Sequence, residues 1–528
     1  MSEKQYQEKL KSVRSSLSCF TQKSIFEAAA RQLQGKSSNN IDFVKKMPWI
    51  AMFIVKQSLL GNEGPRIVSD IEFYNIANDV YKMQLSASNL EEGSVDLKLR
   101  AMCMQQLWYQ QNFTQGLLSI FRQSNFFSKK DSFYSQEFEN DTGLSLRSFY
   151  IITLYLLVIV RSIKNSHIVE INLYSLIYNL CPKVPPNHIV SYLMLTTVKT
   201  EHLSIFMEKY RLDDSPQSEY FQETPFKHKP MILSGEILYV FNSSIFEVGI
   251  TSLVPSRLKK NVPKFKNYFG KLFEGYINEL LDSSGLEYWN EEQIKQFYKE
   301  NSINGKVVDF LFFGNDGDIG LIECKAVEPN DIIKASFDPE ILKKSLQNSF
   351  IGALEQGSAC ANLLSKTEKF KDAQFRLATI THEEHAIVSG QFVAEHIDTN
   401  LQERLNNNYR PSTLKLENAL YLTIADFETL IAAQKSNTYD LNLFLKECSK
   451  DQLNPSTKRM MTKQFVDEKL PPRVYETTAI HEEMDSYLDE LEIIFTSNKR
   501  YWQEKVNSLI ESRLQLVDLL NKNLTPYL

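Results

Sequence analysis

GKVVDFLFFGNDGDIGLIECKAVEP, residues Gly305 to Pro329, decides the fold of the middle of the chain. Val307, Val308 and Phe310 to Phe313 make an almost unbroken apolar run, as expected of a strand covered on both faces. One acid, Asp309, interrupts it. Further on, Ile322 and Cys324 alternate with Glu323 and Lys325, so two charged side chains leave one face of a second strand. Asn315-Asp316-Gly317 joins the runs and supplies a glycine for a positive φ, which is a hairpin signal. If Gly314 pairs with Asp318 across a three-residue loop, Asp309 stands opposite Glu323 and all three charged groups share a face. A two-residue loop opposes Asp309 to Cys324 instead, because a slip of one residue turns every side chain over.

Charge on an apolar strand is costly to bury unless it is paired or metal-bound, and adjacent carboxylates raise each other's pKa when nothing neutralises them. A divalent cation relieves both. All-oxygen ligation selects a hard ion, so Mg²⁺ or Mn²⁺ is the expected cofactor, held by Asp309 and Glu323 and completed by water and substrate phosphate. Such an ion activates a water and stabilises charge on a scissile phosphate. Lys325 can position that water, deprotonate it or stabilise the transition state, and these roles stay open. The competing reading is a buried ion-pair cluster without chemistry.

Asp309, thirteen residues, then Glu323-Cys324-Lys325 resembles the D…ExK signature of the PD-(D/E)XK nuclease superfamily. Val308 stands where the family name has its proline, a position that is not catalytic. The resemblance covers roughly residues 250 to 430 and implies a restriction-endonuclease-like α/β core with a mixed sheet. It also implies divalent-metal-dependent hydrolysis of phosphodiester bonds, with DNA favoured over RNA. Glu274, in the helix YFGKLFEGYINELL, is similar to the acid that completes metal binding in many members. Gln356, in Ala353-Leu354-Glu355-Gln356, is similar to the glutamine that often borders the site. An exposed helix carboxylate and a solvent-facing glutamine are the plain alternatives. The stretch Lys229 to Phe273 resembles the entry to nuclease domains of bacterial phage-defence proteins, which implies an antiviral setting.

The 528 residues exceed what one core usually holds, and a chain that is 43% apolar and 23% charged has the composition of an ordinary globular protein. A net charge of −6 excludes a chain that coats nucleic acid along its whole surface. A local patch is available: between Thr251 and Phe273 lie Arg257, Lys259, Lys260, Lys264, Lys266 and Lys271 and no acid, expected either to contact phosphates without regard to sequence or to be a solvated run. The six cysteines are scattered without a CxxC pair, which points away from a zinc site or a disulfide framework. The charged start MSEKQYQEKLKS lacks a secretory apolar region, and FYIITLYLLVIV (Phe149 to Val160) is shorter than the ~20 residues a bilayer span needs. The expectation is a cytoplasmic protein with that stretch as a buried helix and no membrane contact.

Apolar residues at helical spacing before about residue 230 predict an all-α first domain over residues 1–240, for recognition or regulation. Around Ile232 the texture changes to short aromatic and β-branched runs, which predict strands. Beyond it the expected order is helix (Tyr268 to Leu281), strand (Val307 to Phe313), strand (Ile319 to Ala326), helix (Pro339 to Leu364), strand (Phe375 to Thr381), strand (Ala419 to Thr423) and helix (Ile424 to Gln434). This α/β nuclease domain is placed at 241–448, and the fold class is multidomain α + α/β. Residues 449–480, broken by Pro455, Pro471 and Pro472, read as a linker. Residues 481–528 read as amphipathic helix, packed on the chain's own N-terminal half or used for a homodimer or partner protein.

His382-Glu383-Glu384-His385 has its histidines three apart, not the four that a zinc-binding HExxH helix needs, so it reads as a surface loop. Asp316 and Asp318 read as turn residues. P-loop, GxGxxG and GxSxG motifs are absent from the sequence. Two further classes stay open: an RNase of the same fold, and a non-catalytic nucleic-acid-binding or interaction protein using the fold as scaffold.

Overall fold

A computed structural model describes residues 2–33, 47–90, 92–107, 109, 113–128, 132–162, 168–411, 413–471 and 477–524. The chain divides into two compact units, the first made of Met1–Glu92, Gln105–Pro263 and Ala479–Leu528, the second of Gly93–Met104 and Lys264–Thr478. Both are mainly helical and each carries a small mixed sheet.

The first unit is not all-α. Its four strands, β1 (Val169–Asn172), β2 (Thr197–Lys199), β3 (Met231–Ser234) and β4 (Ile237–Val240), form a sheet in the order β1-β4-β3-β2. Only the β3–β4 hairpin announces itself locally, because β1 and β2 are three or four residues long and embedded among helices. The Leu146–Ser162 helix contains Phe149 to Val160 and buries most of them, as a core helix does. Among the described residues no single helix is long and apolar enough to cross a membrane. The Ser243–Asn261 helix also belongs to this unit, so the boundary falls at residue 263 and not near 240. Asn242 caps that helix by accepting from Ile245 N at 2.9 Å, and its first turns bury Ile245, Phe246, Val248 and Ile250.

The C-terminal helices Thr478–Trp502 and Val506–Asn523 pack mainly within the first unit. Tyr487 Oη lies 2.8 Å from Ser124 Oγ, Asn498 donates to Asn179 O at 3.0 Å, and Trp502 Nε1 donates to Cys181 O at 3.0 Å. The chain itself buries Tyr487, Leu491, Ile494, Trp502, Leu509, Leu516 and Leu520 of these helices, whereas Leu488, Ile493, Val506, Leu514 and Leu519 stay exposed.

The second unit is built on a five-stranded sheet, β5 (Tyr288–Asn290), β6 (Phe310–Phe313), β7 (Asp318–Lys325), β8 (Gln374–Thr381) and β9 (Ala419–Thr423), in the order β5-β6-β7-β8-β9. β5, β6 and β7 pair antiparallel, β7, β8 and β9 parallel. Long apolar runs on β7, β8 and β9 fit strands covered on both sides. The Phe265–Ser284 helix packs on β7 and on the Ile424–Lys435 helix, to which Tyr276 Oη ties it by donating to Glu428 Oε1 at 2.7 Å. The long helix expected over Pro339 to Leu364 is interrupted by a π-helical stretch, Gln347–Ile351.

The expected linker is also partly corrected. Thr462–Lys469 is a helix that buries Phe465 and Val466 and packs on β9, with Thr462 Oγ1 bonded to Tyr421 O. The prolines bracket that helix without breaking it, and two buried apolar side chains in a polar segment are too few to be seen as a period. Residues 472–476 lie outside the described residues.

Register on the central hairpin depends on one glycine. Gly320 faces Phe312 across the β6–β7 pair, and a Cβ built on it would lie 2.0 Å from the Phe312 ring. The ring fills the space a side chain would take. Gly320→Ala is expected to lower stability by about 1–3 kcal/mol through overpacking, measured as a fall in urea midpoint; an unchanged midpoint would show that the strands can separate to admit a methyl group.

Candidate active site

The turn between β6 and β7 has an odd length. Gly314 N donates to Asp318 O at 2.8 Å, Asn315–Gly317 forms a single 3₁₀ turn, and Gly317 supplies the positive φ of 79° that closes it. Phe310 pairs with Ile322 and Phe313 with Ile319, so Asp309, one residue before β6, falls opposite Glu323. Leu311, Ile319 and Leu321 alternate onto the face of Asp309, Glu323 and Lys325, and they belong to one apolar cluster that includes Ile294, Leu354 and Leu364. The charged residues thus continue an apolar row to the strand ends.

Asp318, read from the sequence as a turn residue, is buried. Its carboxylate pairs with Arg376 at 2.6 Å and accepts from Asn442 Nδ2 at 2.9 Å, which fixes the start of β7 against β8. The opposite end of β7 carries the candidate chemistry.

Glu323 is 2% exposed. Its Oε1 accepts from Lys325 Nζ at 2.7 Å, while Oε2 is buried with no hydrogen-bond partner among the described residues. Burial, and then the Asp309 charge, push its carboxyl up to about 8, against the pull of Lys325 and of the Asp309 backbone N–H. Asp309 is half-buried and uses Oδ2 to accept from Cys324 N at 2.6 Å. Its carboxyl is also raised, chiefly by burial. Glu274, half-buried on the Phe265–Ser284 helix, is raised by burial and next by Asp309, with Lys295 and Lys271 opposing. The Cys324 thiol is raised by burial and then by the charges of Asp309, Glu323 and Glu274. Asp309 therefore lies close enough to both Glu274 and Glu323 for its charge to raise their carboxyls, and Lys325 is the cation paired to Glu323.

Gln356, half-buried, is tied to the backbone beside the site. Its Nε2 donates to Val307 O at 2.7 Å, two residues before Asp309, so the amide holds the backbone that presents that acid. The basic run is divided. Arg257, Lys259 and Lys260 lie in the first unit, and Lys264, Lys266 and Lys271 in the second with the carboxylates. Arg257 is engaged by Asp141, Nε donating to Oδ2 at 2.8 Å, which leaves it a poor phosphate contact. Lys259, Lys260, Lys264, Lys266 and Lys271 are exposed.

His382 to His385 is a loop but not a surface one. His385 is 4% exposed and burial pushes its imidazole down to about 3; Glu384 is pushed up to about 7 by burial and by Asp426. The loop is covered because Arg100, fully buried, donates to His385 O at 2.8 Å and to Ile333 O at 2.9 Å. Sequence reasoning missed this, since Arg100 and His385 are far apart in the chain. The sequence did carry one usable signal, a cluster of His and Glu placed directly after a core strand.

A divalent cation suits the strand-end group on the chemistry of its donors. Among the described residues a buried oxygen of Glu323 makes no hydrogen bond, one oxygen of Asp309 remains beyond the Cys324 bond, and the carboxylates resist ionising together. Comparison with known proteins found no family model, no curated protein and no solved structure that matches this chain.

Proposed function

We propose that the protein is a divalent-metal-dependent nuclease of the restriction-endonuclease-like type, cytoplasmic, that hydrolyses phosphodiester bonds of DNA in defence against phage. The observation that carries this reading is the opposition of Asp309 and Glu323 across β6 and β7, with Lys325 beside Glu323 and an unpartnered buried oxygen on Glu323.

Asp309 and Glu323 are the residues to hold Mg²⁺ or Mn²⁺, with Glu274 as a third carboxylate. A hard ion bound there supplies Lewis-acid stabilisation of a phosphate and a more acidic water. Asp309 is presented rigidly because Cys324 N holds one of its oxygens. Glu323 keeps Lys325 within 2.7 Å, so the ammonium stays at the strand end, where it can stabilise negative charge developing on a phosphate or orient the attacking water. Gln356 acts as a positioning residue through Val307 O. Lys264, Lys266 and Lys271 offer uniform phosphate contacts on the same unit.

The test is incubation of the full chain with supercoiled plasmid, linear duplex, single-stranded DNA and RNA, each with Mg²⁺, Mn²⁺ or EDTA. Metal-dependent cleavage of a DNA substrate is expected. Cleavage of RNA alone would make the protein an RNase of the same fold, and cleavage of nothing would leave the non-catalytic scaffold as the better reading.

A further inference from the structure

Beyond the ends of β7 and β8, a second group of ligand-type side chains converges that the Asp309–Glu323 pair does not use. Glu328 comes three residues after Lys325, and His382 and Glu383 follow Thr381, the residue paired with Lys325. Parallel pairing of the two strands thus delivers both loops to one place. One ligand atom from each of Glu328, His382 and Glu383 lies within 4.8 Å of the others. His382 Nδ1 is 2.8 Å from Glu328 Oε1, and Glu383 N donates to Val327 O at 3.3 Å, which registers the loops.

The imidazole is held before any ligand arrives. His382 is 7% exposed at its side chain, and Phe269 and Phe273 meet it edge to face with centroids 5.0 and 6.1 Å away. Those two rings sit on the Phe265–Ser284 helix, the element that also carries Glu274. These two edge-to-face contacts restrict the turning of the imidazole.

We propose that Glu328, His382 and Glu383 form a second divalent-cation site that takes a borderline ion of the Zn²⁺ class. An imidazole among two carboxylates favours Zn²⁺ over Mg²⁺ and Ca²⁺, which prefer oxygen alone. Three protein ligands leave a position for water. The spacing of the donors accommodates one ion at ligand distances of about 2.0–2.2 Å after small side-chain adjustments. Lys334 Nζ pairs with Glu383 Oε2 at 3.9 Å, and a bound ion must outcompete that cation. The site is independent of the nuclease reading, since none of its ligands belongs to the Asp309 cluster.

Co²⁺ is the probe, added to full-length, EDTA-treated protein and followed by its visible d–d absorption. A band displaced by Zn²⁺ but not by excess Mg²⁺ is expected from the wild type and also from an Asp309→Asn/Glu323→Gln double variant. Glu328→Gln, Glu383→Gln and His382→Asn are each expected to weaken Co²⁺ binding roughly tenfold or more. The two glutamine variants preserve side-chain size, and far-UV circular dichroism identifies those that keep the native fold. Unchanged Co²⁺ affinity in natively folded Glu328→Gln and Glu383→Gln overturns the site. Disappearance of the band in the Asp309/Glu323 double variant overturns it too, because the ion then belongs to the strand-end carboxylates. Failure of nuclease activity leaves this result untouched, so the two ideas fail separately.

Discussion

Glu323→Gln is expected to lower Mg²⁺-dependent cleavage by on the order of a thousandfold or more, the loss of several kcal/mol of metal-borne stabilisation, and at the same time to stabilise the metal-free fold. Both effects come from one fact, a 2%-exposed carboxylate with an unpartnered oxygen. Burial and Asp309 lift the Glu323 carboxyl from 4.5 to about 8. The folded chain therefore keeps a proton that the unfolded chain releases, so the wild type loses stability as pH rises from about 4.5 to about 8 and levels off above that. Glutamine does not titrate. In EDTA, the melting temperature of the variant minus that of the wild type is expected to be small near pH 5 and to widen to a plateau above pH 8. Mg²⁺ reverses the order by stabilising only the wild type. A gap that stays constant across this pH range would show that Glu323 is not a buried acid held against its ionisation.

Lys325→Ala is expected to reduce cleavage by about 10²–10⁴-fold, the range for a positioned proton-transfer or charge-stabilising group, while Mg²⁺ binding persists or tightens. The sign of the second effect separates chemistry from structure. Lys325 neutralises Glu323 at 2.7 Å, and removing that cation leaves the carboxylates more in need of an ion. Calorimetric titration of Mg²⁺ into the variant reads this directly. A variant that loses both cleavage and Mg²⁺ binding would mark Lys325 as a structural partner of Glu323 and remove it from the reacting set.

How much of this was legible beforehand differs by element, for physical reasons. The β6–β7 hairpin was legible in outline, because the positive-φ glycine is local and the alternation of Glu323 and Lys325 with Ile322 and Cys324 has a period of two; the choice between two loop lengths needed the Gly314–Asp318 pairing, and β6 begins at Phe310 and not at Val307. The strands Phe375 to Thr381 and Ala419 to Thr423 were equally clear, being apolar runs bounded by polar turns. The sheet of the first unit was hidden because β1 and β2 are too short to show a period and pair with strands far along the chain, Val169 with Val240 and Thr197 with Met231. Gln356 was singled out from the sequence by resemblance alone, and its bond to Val307 O joins residues 49 apart and could not be inferred. That Glu328 joins His382 and Glu383 could not be inferred for the same reason: the three meet only once β7 and β8 lie parallel. The same distance effect hid the assignment of the C-terminal helices to the first unit and of Gly93–Met104 to the second.

The most direct measurement is anomalous diffraction from a Mn²⁺-loaded crystal collected at the manganese edge. A peak within ligand distance of both Asp309 and Glu323, with Lys325 moved off Glu323 Oε1, is the expected result. Saturating Mn²⁺ with no peak between those carboxylates, and the Lys325–Glu323 pair intact at its 2.7 Å separation, would contradict a metal centre there.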